Sequence, residues 1–524
     1  ANKRAMALSP SKELQEASMQ SLKITRQELK ALKKRIKERT LTPSDYDILG
    51  ALTETVDCLT EALKEKDTSL GRLCKYLFGA PTETAKNVLK RKPDIDKEPN
   101  TPGKGHGRKP ASDYNGGRKV VIEHPSLKPG DLCPGCLKRK VYELSMPSVF
   151  VHVTGQAPLT ATVYERSRLR CNLCGEMYVP KLPVEERKHD ESAAAMLALL
   201  KYGCGLPLNR IEKLQKNLGH PLPSSTQWDI LDASSLTVSP VVDAMMRASA
   251  QGSLIHNDDT TMKVLSFLNE EDPKRKGIYT TGILSKCGEH KIAVFMTGRN
   301  HAGENLTEVL KNRIRSLSPP IQMCDAASRN TSREFETILA NCLAHARRQF
   351  VDIVDHFPEE CSYVIEQLGR VYHNDTLTMS MSSDERLSYH KDKSGPLMED
   401  IKTWCEGKLK EKDIEPNSEL GKAVNYLLRH WEALTRFLQV PGAPLDNNVC
   451  ERALKYAILH RRNSLFYKTQ RGAHVGDVFM TLIHTCQLSG VNPLDYLTWL
   501  LKNASDIKKA PENFMPWHYA KAPP

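Results

Sequence analysis

Three β-rich runs lie close together in this chain: "GSLIHNDDTTMKVL" (252–265), "GIYTTGILS" (277–285) and "HKIAVFMTGR" (290–299). The polar connections between them are short and predict antiparallel neighbours. A helical pattern follows, "AGENLTEVLKNRIRSL", and then an apolar run, "PPIQMCD". Three strands, a helix and a fourth strand require a mixed sheet with helices on its faces. The first run carries Asp258 and Asp259. The fourth ends on Asp325, at the carboxyl end of a strand, where open α/β sheets place their ligands.

About 120 residues of mostly helical sequence separate Asp325 from the next informative stretch. That is too long for a connecting loop and predicts an inserted helical subdomain. Beyond it, "LDNNVCERALKYAILHRRNSLF" (445–466) reads as an amphipathic helix, with Val449, Ala453, Leu454, Ala457 and Ile458 at helical spacing. Asp446, Asn447, Asn448, Glu451, Arg452 and Lys455 fill its other surface, and Arg461 and Arg462 follow. Two aspartates on neighbouring strands and a glutamate on a later helix can hold two divalent cations. Two metals about 3.5–4 Å apart stabilise the attacking and leaving oxygens of an in-line phosphoryl displacement. Oxygen ligands suit Mg²⁺ or Mn²⁺. This order of elements opens an RNase H-like fold. The alternative for Glu451 is a place on a solvated helix face, where acids are common.

The helical subdomain begins with "NCLAHARRQF", in which Cys342 and His345 stand at i and i+3, with Arg348 a turn further on. Either these residues work close to reacting DNA, or they pack the subdomain. A Cys–His metal pair would need two more ligands, and none stands nearby in the sequence.

A chain of 524 residues exceeds a single core, so two to four domains are expected. Its formal charge of +12 favours a polyanionic partner. No run of 18 apolar residues is present and the first residues lack the apolar stretch of a secretory signal, so neither a membrane span nor export is expected. Leu49, Leu52, Val56, Leu59, Leu63, Leu70, Leu73 and Leu77 form a heptad seam broken only by Lys66. It predicts self-association, the alternative being a helix packed inside its own domain. Residues 86–119 are rich in Pro, Gly and Lys and predict a flexible basic linker, laid along DNA phosphates or merely solvated.

Of fourteen cysteines, four form two pairs, "CPGC" (Cys133, Cys136) and "CNLC" (Cys171, Cys174), flanking the strand-like "SVFVHVTG" and "TATVYERSRLR". That double spacing predicts a zinc ribbon in a reducing compartment, its four thiolates closing one structural site. From Glu191 to Ala250 the chain reads as helical. "LNRIEKLQKNLG" and "SSTQWDILDASS", joined by "HPLP", could form a helix-turn-helix or two helices of a small bundle, with Ser224 or Ser225 as cap.

Taken together these motifs resemble the insertion sequence 66 family of DDE transposases, the TnpC type, from about Leu49 to Leu500. The resemblance rests on "LFGAPTE", "GHGRKP", the two knuckles, "KYGCGLPLNRIEKL", "HNDDTT", "CLAHARRQF", "LDNNVCERALKYAILHRRNSLF" and "GVNPLDYLTWLL". "DAASRN" departs from the family's usual stretch after the second aspartate; leucine follows Cys342 in place of tryptophan, and Lys455 replaces an arginine. These mark a divergent branch.

The resemblance implies a multidomain α+β chain. Its parts are a coiled-coil region (1–85), a basic linker (86–120), a zinc ribbon (121–182) and a helical DNA-binding region (183–250). An RNase H-like core follows (251–330), with a helical insertion (331–444), the catalytic helix (445–490) and a C-terminal tail (491–524). Asp258, Asp325 and Glu451 would be the catalytic carboxylates and ligands of two Mg²⁺ or Mn²⁺, with Asp259 a neighbour. His345, Arg347, Arg348, Asn447, Arg452, Lys455, Arg461 and Arg462 would meet DNA. Expected partners are double-stranded DNA (the element's terminal inverted repeats and target), a second copy of the chain and small accessory proteins, in the bacterial cytoplasm at the nucleoid. Alternatives are a non-catalytic DNA-binding derivative and a related RNase H-like nuclease such as a junction resolvase.

Overall fold

The three β-rich runs become three antiparallel strands: β1 (Leu254–Thr261), β2 (Tyr279–Cys287) and β3 (His290–Gly298). The computed structural model describes residues 32–36, 40–50, 119–144, 148–183, 187–268 and 275–519. The heptad seam beyond residue 50 and nearly all of the basic linker lie outside them. Two units form. One gathers residues 1–90, 243–458 and 468–470; the other gathers 91–242, 459–467 and 471–524. No helix among the described residues is long and apolar enough to cross a membrane.

In the first unit, β4 (Ile321–Cys324) runs parallel to β1, and β5 (Ile338–Asn341) parallel to β4. The sheet order is β3-β2-β1-β4-β5. Residues 338–341 fall inside the stretch read as helical insertion (331–444), so helices begin only after this fifth strand. "ILAN" is four residues of a parallel strand, too short to show a two-residue period. The helix Ala302–Leu310 (labelled α4 below) packs on β1 and β2.

Helices of the second unit precede the sheet. They are α1 (Glu191–Ala198), capped by Asp190, α2 (Leu208–Asn217) and the start of α3 (Ser224–Ser249). Ser224 does not cap α3 with its hydroxyl: its Oγ and N–H both donate to Glu212 of α2, at 2.5 and 3.0 Å, which ties the two helices together. After α4 and β5 come α5 (Leu343–Val351), α6 (Pro358–Leu377), α7 (Ser383–Lys393), α8 (Gly395–Lys410) and α9 (Glu419–Arg429). Leu343, Ala346 and Phe350 line one side of α5 and are buried. Their apolar cluster joins Met323 of β4 and Ala340 of β5 to Ile365, Ile401 and Leu427, so the helical layer and the sheet share one core.

α10 (Asn448–Ser464), α11 (Gln470–Leu488) and α12 (Pro493–Lys502) complete the chain. In the second unit α12 packs along α1. There the rings of Tyr202, His460, Tyr467 and Phe479 stack in series, and buried Lys201 donates to Ser464 at 2.9 Å.

Around the cysteine pairs the structure differs from expectation. Residues 148–168 form no strand; Leu169–Arg170 pairs with Met177–Tyr178, and a single antiparallel bridge joins Leu132 to Lys140. Val149, Phe150, Val153 and Val163 are exposed, so the alternation has no apolar face to bury. Each CxxC makes its own turn: Leu137 N–H donates to Cys133 O (2.8 Å), and Gly175 N–H to Cys171 O (3.0 Å). Among the described residues, no three of the four thiols gather within 4.8 Å of one another.

Candidate active site

Period-two alternation along β1 decides what each polar residue faces. His256 and Asp258 point to one side of the sheet. Asp258 sits opposite Gly282 of β2, and the space above Gly282 is filled by Leu454 and Cys450 of α10. Asn257 and Asp259 point to the α4 side. Asn257 donates to Asn330 O (2.7 Å), and Asp259 meets His301, the residue that precedes α4, at 2.9 Å.

Parallel pairing of β1 with β4 brings Asp325 beside Asp258. One amide links them: Asn330 Nδ2 donates to Asp325 Oδ1 at 2.5 Å and approaches Asp258 Oδ1 at 3.4 Å. Ala327 N–H also donates to Asp325 (3.1 Å), and the Asp259 N–H to Asp258 (2.8 Å). Asn330 is held through its carbonyl, which accepts from Asn257 and Gln322. Burial, then the charge of Asp325, pushes the Asp258 carboxyl up to about 7; Asp259 and Glu451 add to this, and the Asp259 N–H opposes it.

α10 brings Glu451 near enough for its charge to reach Asp258, and a buried pin fixes the start of the helix. Asn447, just before the helix, has no exposed surface. Its Oδ1 lies 3.0 Å from His256 Nδ1, its Nδ2 donates to Asn257 O (3.1 Å) and its N–H donates to Cys342 Sγ (3.2 Å). Because the Asn447 oxygen can only accept, His256 carries its proton on Nδ1; burial lowers its pKa to about 4, so the ring is neutral. Asn447 was expected to meet DNA. It is instead a buried joint between β1, α5 and α10.

One turn into α10, Glu451 Oε1 faces His345 Nδ1 at 3.8 Å. Both atoms are buried and have no hydrogen-bond partner among the described residues. Cys342, His345 and Glu451 place their ligand atoms within 4.8 Å of one another. The distant glutamate is thus a third potential donor beside Cys342 and His345 that sequence spacing did not reveal, one short of the two further ligands a closed site needs. Cys342 is buried, which pushes its thiol up to about 12. Asn330, His301 and His256 were missed in the sequence, because each acts through a partner far along the chain.

The remaining expected DNA contacts divide between the units. Arg347 and Arg348 are half-buried on α5, while Arg452 and Lys455 are exposed on α10. Arg461, half-buried, and Arg462, exposed, belong to the second unit. In the cysteine turns, the Lys138 N–H lowers the Cys136 thiol pKa and the Cys174 N–H lowers that of Cys171.

Burial and the neighbouring Asp325 make the charged form of Asp258 costly in the folded chain. The folded Asp258 carboxyl binds its proton more tightly than the unfolded chain does, so its contribution to stability falls as pH rises from about 4 through 7. At roughly 1.4 kcal/mol per unit, the penalty is on the order of 4 kcal/mol at pH 8 and less than half of that at pH 5. Asp258→Asn should therefore stabilise the EDTA-treated protein strongly at pH 8 and weakly at pH 5, as read by urea unfolding. Equal gains at both values would mean that burial and the neighbouring carboxylate do not raise the Asp258 pKa.

Residues 188–475, more than half of the chain, match the sequence model of the transposase IS66 family. Among curated relatives, the uncharacterized protein y4hP of Sinorhizobium fredii is 25% identical over 448 residues, which cover 79% of this chain and 77% of the relative. The uncharacterized protein y4jD of the same organism is 26% identical over 422 residues, 77% of this chain and 80% of the relative. The family match spans Asp258, Asp325, Glu451 and the Cys342–His345 pair. The chain belongs to the transposase IS66 family.

Proposed function

We propose that this protein cuts and joins DNA ends by DDE-type phosphoryl transfer on an RNase H-like sheet, with Asp258, Asp325 and Glu451 as ligands of two Mg²⁺ or Mn²⁺. The observation that supports the proposal is that Asp325 and Glu451, from distant segments, both bear on the Asp258 carboxyl, Asp325 more strongly; the three carboxylates do not all lie within 4.8 Å of one another. The sheet order β3-β2-β1-β4-β5, with β2 alone antiparallel to its neighbours, supports the fold assignment. The donor set fits hard divalent cations, since it is oxygen-rich, crowded with like charge and contains the unpartnered buried Oε1 of Glu451. When bound, the cations would stabilise the attacking and leaving oxygens of the phosphodiester.

The residues of the chain hold this geometry. Asn330 orients Asp325 and limits its distance from Asp258. Asn447 anchors the start of α10, so that Glu451 points at the strands, and His345 backs Glu451. The substrates on this reading are the element's own ends and a target duplex, handled by an assembly of at least two copies together with accessory proteins of the same element. The test is a supercoiled plasmid carrying both ends. Mg²⁺ or Mn²⁺ should give end cleavage and strand joining, and Ca²⁺ binding only. A wild-type protein that binds its ends and never cuts them in Mg²⁺ or Mn²⁺ would overturn the reading.

We assign one structural zinc to Cys133, Cys136, Cys171 and Cys174. The thiols lie in two separate turns, and backbone N–H groups in each favour the thiolate form that zinc requires. Metal analysis should find about one zinc per chain, lost in the Cys133→Ser, Cys171→Ser double variant; an unchanged zinc content there would exclude these ligands.

A further inference from the structure

On the α4 side of the sheet lies a cleft of about 710 Å³, and five cations line it: Arg275, Lys276, Arg299, Arg329 and Arg333. Three acids line it too, and two cations, Arg275 and Lys311, serve them. Glu304 pairs with Arg275 at 2.5 Å, Glu308 pairs with Lys311 at 2.6 Å, and Glu334 lies in the field of the same Lys311. Arg299 donates to the Phe267 and Arg275 carbonyls. Among the described lining residues five cations thus face three acids, a surplus of two, and the exposed Lys276, Arg329 and Arg333 are in no ion pair.

Its position matters as much as its charge. Arg329 is the neighbour of Asn330, whose amide contacts both Asp325 and Asp258. His301, also in the lining, holds Asp259. The turn that carries Arg329 is pressed against the first turn of α4: a Cβ on Gly303 would collide with the Arg329 and Thr331 carbonyl oxygens. Arg329 thus leaves a fixed piece of backbone beside the carboxylates.

We propose that this cleft binds the phosphodiester backbone of a DNA strand leading to or from the carboxylate site, with Lys276, Arg329 and Arg333 as the phosphate contacts. The assignment builds on the DNA-cutting reading, but its test is one of binding. Exposed, solvated cations suit a polyanion, whose attraction comes from neutralised charge and released counterions. A small metabolite would instead need buried polar groups to orient it.

The decisive experiment measures the affinity of the full chain for a 30-base-pair duplex of arbitrary sequence over a range of salt. Three partners are compared: wild type, the Lys276→Ala, Arg329→Ala, Arg333→Ala triple variant, and a control triple variant. The control, Lys391→Ala, Lys410→Ala, Arg429→Ala, removes the same charge from exposed positions on α7, α8 and α9. Each phosphate contact adds about 0.9 to the slope of log affinity against log salt, so the cleft variant should lose nearly 3 in slope and roughly tenfold or more in affinity. Arg333→Ala alone should lose about 0.9, which guards against a folding defect in the triple. An unchanged slope in the cleft variant, or an equal loss in the control, would overturn the proposal. So would displacement of the duplex by millimolar inorganic phosphate at constant ionic strength, which would mark a small-anion site. Cleavage is followed in parallel. A slope loss without any wild-type cleavage would leave the cleft standing and remove the phosphoryl-transfer reading.

Discussion

Glu451→Gln, Asp258→Ala and Asp325→Ala should each abolish Mg²⁺-dependent end cleavage and joining while leaving DNA affinity nearly unchanged. On the proposed reading the three carboxylates supply the oxygen donors for two divalent ions, and losing any of them leaves too few. Removal of a single preorganised electrostatic group commonly costs about 10²–10³-fold in rate, and loss of a metal should cost more. Binding rests on cations elsewhere, so removing one negative charge should leave it intact or slightly stronger. Asp259→Asn is the internal contrast. Asp259 faces away from Glu451 and pairs with His301 at 2.9 Å, so measurable cleavage should remain.

Asn447→Leu should be the most damaging change near the site for stability. It leaves the buried His256 Nδ1–H and the Asn257 carbonyl without their partners. Each unsatisfied buried group costs about 1–3 kcal/mol, giving about 2–6 kcal/mol in total. Cleavage should fall as well, because the pin that fixes the start of α10 lies one turn from Glu451. Arg452→Ala, an exposed change on the same helix, should alter stability by no more than about 0.5 kcal/mol. Thermal unfolding and duplex binding of the two variants separate the roles. If Asn447→Leu unfolded normally and lost DNA affinity, Asn447 would return to the surface role first expected of it.

Asn447 also shows where sequence reading stops. Polar residues at the start of an amphipathic helix read as surface, and nothing local reveals that Asn447 inserts between β1 and α5. The strands β1 to β4 were readable because alternation and turn residues are local signals. β5 was not, because four residues of a parallel strand carry no period. Asp258, Asp325 and Glu451 could be nominated from their elements, yet their convergence depends on parallel pairing of β1 with β4 and on α10 crossing Gly282, which are non-local. The partnership of Cys342 and His345 with Glu451 is hidden for the same reason, since the glutamate belongs to a helix far along the chain. Between the cysteine pairs the failure ran the other way. Val149, Phe150 and Val153 have strand-like patterning, but without a face to bury they form no ladder.

The central claim is that Asp258, Asp325 and Glu451 jointly hold divalent cations, and counting those cations tests it most directly. Electron paramagnetic resonance can follow a Mn²⁺ titration of the protein bound to an end duplex, with the duplex alone subtracted. Wild type should bind two Mn²⁺ per chain at the carboxylate cluster, and Glu451→Gln at most one. Two Mn²⁺ bound with wild-type affinity by Glu451→Gln would contradict the account.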